Sequence, residues 1–142
     1  MSPAQPIPFH LALPSNDLAK TREFYSKILG LTEKRSAFNW VDFDFFGHQV
    51  TFHLVKDVSE RLESTVIDGD QVPARHYGAI LTHDDWEQLK SRLEQHNQRF
   101  IIGPRTRFQG KEGEQGTMFI VDPSGNYLEF KYFTDTSRGA WY

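Results

Sequence analysis

The order of predicted secondary structure runs twice through this chain, and that repetition constrains the fold more than any single motif. Each half starts with a short strand, continues with an amphipathic helix and ends with three further strands. One such half cannot bury its sheet alone. The sequence therefore predicts an α+β fold in which two sheets of about four strands pair side by side, with the helices on the outer faces.

The two halves are predicted to be modules of one domain spanning residues 1–142. Their approximate bounds are residues 8–55 for module 1, 56–75 for a polar linker, 76–133 for module 2 and 134–142 for a C-terminal tail. The linker has no sustained periodicity, so we interpret it as a connection between the halves.

The helices and final turns define these modules. The first helix is predicted at residues 18–29, where Gly30 ends it, and the second at residues 86–96. Each module closes with two strands around a glycine turn, at Gly47 and at Gly125. The halves therefore match in element order, although their sequence identity is low.

Composition excludes several classes of protein. The chain has 142 residues, 38% of them hydrophobic, a net charge of −3 and no cysteine, so it is neither a disulfide scaffold nor a thiolate zinc site. Interspersed charge gives no footprint for nucleic acid, and no run approaches the roughly 20 apolar residues of a membrane span. We expect a small-molecule partner and, because no leader segment is recognisable, a cytoplasmic location.

Strand alternation places three metal-binding side chains on equivalent faces. Bulky Leu128 and Phe130 should pack on the helix, which leaves Glu129 on the opposite face, and the same reasoning applies to His10 and His76 in the opening strands. Two imidazoles and one carboxylate can form a facial metal triad with open coordination positions. The alternative interpretation is an ordinary solvated face of an antiparallel sheet.

Four segments carry a resemblance to a known family. The chain resembles the vicinal oxygen chelate superfamily, which includes glyoxalases, bleomycin-resistance proteins, fosfomycin-resistance transferases and extradiol dioxygenases. It is most similar to predicted extradiol-dioxygenase-like members. The similar segments are residues 40–49, 76–78, 113–119 and 122–131, the last with an Asp-Pro-x-Gly-x-x-x-Glu pattern.

The resemblance implies a fold, a metal and a reaction. The two βαβββ modules should curl into a mixed-sheet cup around a divalent ion held by His10, His76 and Glu129, with Fe(II) or Mn(II) expected and Ni(II) or Zn(II) as alternatives. The implied activity is that of a metal-dependent oxidoreductase, an extradiol-type ring-cleaving dioxygenase acting on a small catecholic or vicinal-oxygen substrate.

Three further residues are candidates for catalysis beside the triad. His53 is the candidate base because an unperturbed imidazole titrates near neutral pH. Tyr127 and Lys131 share the face of Glu129 and could line the cup; the alternative is that both are rim residues in water.

Two residues differ from the family patterns of glyoxalase I enzymes and fosfomycin-type transferases, and they argue against those two activities. Thr51 stands where glyoxalase I enzymes carry a fourth ligand, and Ala12 stands where fosfomycin-type transferases carry a substrate-contacting threonine. A glyoxalase- or transferase-like activity and a non-catalytic ligand-binding protein of the bleomycin-resistance kind stay as alternatives. The resemblance also implies a homodimer, to which the aromatic tail at residues 140–142 could contribute.

Four other side chains carry simpler expectations. Phe38 and Trp40 are interpreted as core residues, with a role in walling an aromatic substrate as the alternative. Arg105 and Arg107 are interpreted as part of an exposed basic strand, with binding of an acidic substrate group as the alternative.

Overall fold

The structure, a computed structural model, describes residues 7–58 and 63–135. The chain separates into two compact units, Met1–Val58 and Ser59–Tyr142. Each unit is built around one four-stranded sheet of mixed strand direction. The aromatic tail at residues 140–142, proposed from the sequence as a dimer contact, lies outside the described residues.

Residues 7–58 of the first unit form four strands and one helical segment. The sheet order is β1-β4-β3-β2, with β1 parallel to β4 and the other pairs antiparallel. The elements are β1 at His10–Ser15, α1 at Leu18–Arg22, a π-helical turn at Glu23–Ile28, β2 at Thr32–Ala37, β3 at Trp40–Phe45 and β4 at His48–Leu54.

The helical segment covers the apolar face of this sheet. Asp17 caps its first turn by accepting a hydrogen bond from the backbone N–H of Lys20 at 3.1 Å. The π-helical turn buries both Phe24 and Tyr25. On an α-helix with a narrow apolar face, only one of these two neighbours would be buried. The Tyr25 ring lies 4.4 Å from that of Phe52, so this segment forms the core of the first unit.

The second unit contains a hairpin followed by a second sheet and helix. The sheet order is β7-β10-β9-β8, with β7 parallel to β10 and the other pairs antiparallel. The elements are β5 at Ser64–Ile67, β6 at Asp70–Pro73, β7 at Tyr77–Ile80, α2 at His83–Gln95, β8 at Ile102–Arg107, β9 at Gln115–Val121 and β10 at Tyr127–Phe133.

Helix α2 packs through the stripe that the sequence predicts. Trp86, Leu89 and Leu93 are its buried residues. The indole Nε1–H of Trp86 also donates to the carbonyl of Phe130 at 2.8 Å, which ties the helix to the strand that carries Glu129. The helix therefore covers the face of the sheet opposite to Glu129.

The two units repeat one topology. In each, the strand before the helix lies parallel to the last strand, and the two intervening strands extend the sheet in the same order. This confirms the predicted α+β fold of two βαβββ modules with mixed sheets.

The predicted linker holds the hairpin β5–β6, which was not predicted, and its turn uses Asp68 and Gly69 with positive φ. Two expectations for single side chains were wrong. Phe38 lies at the β2–β3 turn and is 89% exposed, so it is not a core residue. Arg107 is buried, not part of an exposed basic strand. Within the residues described, no helix has the length and apolar character needed to span a membrane.

Candidate functional site

The candidate site of the second unit lies on the sheet face that α2 leaves uncovered. Glu129, in the middle of β10, pairs with Phe119 of β9 on one side and with Gly78 of β7 on the other. His76 directly precedes β7, and its ring packs edge-on against Phe119 with centroids 5.0 Å apart. The sheet register therefore brings His76 beside Glu129.

Both ring nitrogens of His76 face oxygen acceptors. Nδ1 lies 2.6 Å from the carbonyl oxygen of Pro73, and Nε2 lies 3.3 Å from Oε1 of Glu129. A carbonyl oxygen only accepts, so Nδ1 must carry a proton for the first contact to be a hydrogen bond. The pKa of His76 is raised, first because of its hydrogen bond to Glu129 and then because of Pro73, against the opposing effect of burial.

Glu129 is held by three neighbours in a nearly buried position. Thr117 donates a hydrogen bond of 2.6 Å to Oε2, and Lys131 Nζ lies 3.7 Å from Oε1. Burial alone would raise the pKa of this carboxyl, but hydrogen bonds from His76 and Thr117, with the charge of Lys131, hold it below its usual value. Glu129 is therefore a carboxylate whose Oε1 is directed at the imidazole.

The corresponding face of the first unit carries a different set of groups. By register His10 pairs with Gln49, Ala12 with Thr51, and Thr51 in turn with Asp42. Asp42 is buried and accepts hydrogen bonds from the Thr51 hydroxyl at 2.6 Å and from Gln49 Nε2 at 3.0 Å. A buried carboxylate thus lies one strand away from the position where the glyoxalase pattern has one.

A sequence model of the glyoxalase/bleomycin resistance protein/dioxygenase superfamily matches residues 7–130. That match covers most of both repeated units. The chain belongs to this superfamily.

A crystal structure of a superfamily protein from Alicyclobacillus acidocaldarius, named glyoxalase/bleomycin resistance protein/dioxygenase, is similar throughout. It is 34% identical, with a TM-score of 0.76, and the match covers 91% of this chain and 92% of that one. No curated protein matches the chain.

More distant superfamily structures share the fold alone. A genomically encoded fosfomycin resistance protein from Listeria monocytogenes is 19% identical with a TM-score of 0.63, over 88% of this chain and 91% of that one. A glyoxalase/dioxygenase from Nostoc punctiforme is 16% identical with a TM-score of 0.66, over 95% and 97%. Neither fixes the reaction of the present chain.

Members of the superfamily generally bind divalent metal ions and small molecules, and many form dimers. The donor set of the second unit fits such an ion. In a neutral His76 whose Nδ1–H points to Pro73, the lone pair of Nε2 is available on the side of Glu129. Thr117 is hydrogen-bonded to Oε2 of Glu129, so Oε1 is the carboxylate oxygen that faces the ion. His76 and Glu129 would hold the ion.

The structure brings together some of the predicted site residues. His76, Glu129 and Lys131 meet in the second unit, and Tyr127 lies on the same face of β10, half-buried. His10 and His53 lie in the first unit, on the face shared with Thr51, and both are exposed. Among residues 7–58 and 63–135, no group of three or more His, Cys, Asp or Glu side chains is arranged to hold a metal ion.

Three contributors to the site were missed in the sequence. Thr117 and Asp42 were identifiable in principle, because strand alternation on β9 and β3 puts them on the faces of Glu129 and Thr51. Pro73 had no such signal, since its role depends on a backbone carbonyl at the end of a hairpin that composition did not predict.

Proposed function

We propose that the protein is a metal-dependent oxidoreductase of the extradiol ring-cleaving type, with His10, His76 and Glu129 as the ligands of a divalent ion. Fe(II) or Mn(II) is the proposed ion, and a small catecholic or vicinal-oxygen compound is the proposed substrate. Two imidazoles and one carboxylate are the facial ligand set associated with oxygen-activating non-haem iron.

The observation that carries this proposal is the paired orientation of His76 and Glu129. A solvated polar face requires no fixed partners, yet each ring nitrogen of His76 and each carboxylate oxygen of Glu129 lies within 3.3 Å of a polar partner. A surface pair in the same unit, His83 and Glu87, has the same separation of 3.3 Å, but its histidine side chain is 60% exposed, against 27% for His76. The internal pair has the outer-sphere support typical of metal ligands.

The remaining candidate residues would handle the substrate. A bound ion would supply a chelation point for two adjacent substrate oxygens and an electronic connection to dioxygen. Lys131, with Nζ beside Glu129, would stabilise negative charge on a substrate oxygen, and the Tyr127 hydroxyl would donate a hydrogen bond from the same strand. His53 would accept the proton of the second substrate hydroxyl.

The test begins with anaerobic purification and elemental analysis, followed by oxygen-uptake assays with a panel of catechols. We expect about one ion per chain and oxygen uptake by the iron-loaded protein. His10→Ala, His76→Ala and Glu129→Gln should each lose most of the bound ion. His83→Ala and Glu87→Gln, which alter the exposed pair on α2, are the matched controls and should retain it.

The outcomes separate the proposal from its alternatives. If the three ligand variants retain the ion as well as the parent does, the triad is wrong. If the ion is bound but no catechol consumes oxygen, the dioxygenase activity is wrong while the metal site stands. Ligand binding in a protein that takes up no stoichiometric ion would instead indicate a binding protein of the bleomycin-resistance kind.

A further inference from the structure

The hairpin β5–β6 supplies the acceptor that faces Nδ1 of His76. Pro73 is the last residue of β6, and its carbonyl oxygen lies 2.6 Å from that nitrogen. Only Ala74 and Arg75 lie between Pro73 and His76, so the ring and its acceptor belong to one short segment. The end of the hairpin therefore supplies the partner of Nδ1 of His76.

Two arginines of β8 hold this hairpin. Arg105 and Arg107 are two residues apart and so project to the same face, opposite Thr117 and Gln115 of β9. Arg105 donates from Nη1 to Asp70 and from Nη2 to Asp68, both at 2.8 Å. These bonds join the edge strand of the sheet to both ends of the hairpin turn.

Buried contacts complete the attachment. Arg107 donates from Nη1 to the carbonyl of Ile67 at 2.7 Å, and its Nη2 forms an ion pair with Asp70 at 3.2 Å. Val72, the neighbour of Pro73, packs with Ile102 of β8 and with Phe119. Phe119 is also the residue against which the His76 ring lies, so the hairpin and the imidazole share one apolar support.

The hairpin decides which nitrogen of a neutral His76 keeps its proton. Pro73 and Glu129 are both acceptors, and a neutral imidazole has only one N–H to donate. The contact of 2.6 Å to Pro73 is shorter than that of 3.3 Å to Glu129, which favours the tautomer with the proton on Nδ1 and the lone pair on Nε2. If the hairpin moves away, Glu129 becomes the better acceptor, and the proton shifts to Nε2.

We propose that Arg105 and Arg107, through their contacts with the hairpin β5–β6, are positioning residues that set the tautomer of His76. As far as it concerns metal binding, this inference rests on the proposed function, because Nε2 of His76 is then the ligand atom. The arginines act through Pro73 and touch neither ion nor substrate. Arg105 is already paired with Asp68 and Asp70, which argues against the alternative that it binds an acidic substrate group.

The direct test reads the tautomer in the metal-free protein. Protein labelled with 15N-histidine is studied by long-range 1H–15N correlation at a pH at which the imidazole is neutral. We expect the parent to show His76 mainly as the Nδ1–H form. Arg105→Gln and Asp68→Asn should both increase the Nε2–H fraction, and Arg105→Lys, which keeps one charge contact, should restore part of the parent pattern. Asparagine tolerates the positive φ at position 68.

A second measurement connects the tautomer to metal binding. Titration with Mn(II) alone should show about tenfold weaker binding in Arg105→Gln, the lower end of the effect of removing outer-sphere support. The matched control is Arg22→Gln, which breaks the pair with Glu33. The Arg22 side chain is 36% exposed, the same as that of Arg105. This control should leave both the tautomer and the Mn(II) affinity unchanged.

The outcomes distinguish this inference from the proposed function. If Arg105→Gln and Asp68→Asn leave the His76 tautomer as in the parent, the inference is overturned, whatever their melting temperatures. If the tautomer shifts but the parent binds no Mn(II), the positioning role stands and the proposed function fails. If the parent binds Mn(II) and its affinity is lost in the ligand variants while the tautomer never shifts, only the positioning role fails.

Discussion

Thr117 donates a hydrogen bond of 2.6 Å to Oε2 of Glu129 from the neighbouring strand, although the two residues are not paired in the sheet register. Thr117 is paired with Lys131, so its hydroxyl reaches diagonally across the sheet. Glu129 is only 9% exposed, and this bond therefore replaces water on one of its carboxylate oxygens. The other oxygen remains directed at His76.

Thr117→Val should weaken both the fold and the site. Valine has nearly the shape of threonine but no donor, so Oε2 of Glu129 becomes a buried acceptor without a partner. We expect the free energy of unfolding to fall by about 1–3 kcal/mol and the affinity for Mn(II) to fall about tenfold or more. Urea unfolding and metal titration check this. Thr106→Val, on the adjacent strand β8, is the control, and equal losses in both variants would contradict the role of Thr117.

The pair of His76 and Glu129 should make the stability of the metal-free protein depend on pH. The raised pKa of His76 means that its stabilisation is complete below the usual value of 6.5 and is lost as pH rises through the folded value. The lowered pKa of Glu129 means that its stabilisation is complete above the usual value of 4.5 and is lost as pH falls through the folded value. Both contributions are therefore complete between pH 4.5 and 6.5.

Glu129→Gln measures this dependence when it is compared with the parent by urea unfolding in the presence of a chelator. The difference in the free energy of unfolding should be largest in that window and should shrink on the alkaline side as His76 loses its proton. Glu87→Gln, in the exposed pair on α2, should show a smaller difference because solvent screens surface ion pairs. A difference for Glu129→Gln that is constant with pH would show that the two groups do not titrate together.

Most of the fold followed from the sequence because its signals are local. Alternation around Glu129 and the helical stripe of Trp86 each depend on neighbouring residues, and Trp86, Leu89 and Leu93 are buried as the stripe predicts. The hairpin β5–β6 was missed because half of its strand residues are polar and β5 is exposed along its whole length. It is held instead by ion pairs with Arg105, a residue more than thirty positions away.

The site, too, could be predicted only in part from the sequence. Parity placed His76 on the face of Glu129, and the contact at 3.3 Å agrees with that placement. Neither the direction of the Pro73 carbonyl nor the choice between the two nitrogens of His76 could be predicted, because both depend on distances between atoms in the folded chain. The grouping of His10 with the other two ligands stays a prediction.

Gly78 leaves no room for a side chain beside Glu129. A Cβ at this position would lie 1.5 Å from the carbonyl oxygen of Glu129, so β7 and β10 would have to separate. We expect Gly78→Ala to lower the free energy of unfolding by about 3 kcal/mol or more and to weaken Mn(II) binding. Gly103→Ala on β8 is the control, because a Cβ there meets nothing within 4 Å.

Thermal and urea unfolding of the two glycine variants test this packing. If Gly78→Ala is as stable as Gly103→Ala, the close contact between β7 and β10 is not as described. A variant of Gly78 that is folded but destabilised should also show changed 15N shifts for His76, because its ring lies at the start of the displaced strand.

Asp42 explains why position 51 carries threonine where the glyoxalase pattern has a carboxylate. The Thr51 hydroxyl donates to buried Asp42 at 2.6 Å, so a glutamate in its place would bring two carboxylates together. Two carboxylates in contact raise the pKa of one of them, so the variant loses stability at neutral pH, where both groups would otherwise be charged. We expect Thr51→Glu to lower the free energy of unfolding by about 1–3 kcal/mol and to recover part of the loss as pH falls.

A double variant tests whether charge or size makes a carboxylate at position 51 destabilising. Asp42→Asn combined with Thr51→Glu removes one charge and offers an amide donor to the new carboxylate, so stability should return towards that of the parent at neutral pH. The double-mutant cycle, measured by urea unfolding, should give a favourable coupling energy between the two substitutions. If the double variant is no more stable than Thr51→Glu, steric crowding and not the charge of Asp42 excludes a carboxylate from this position.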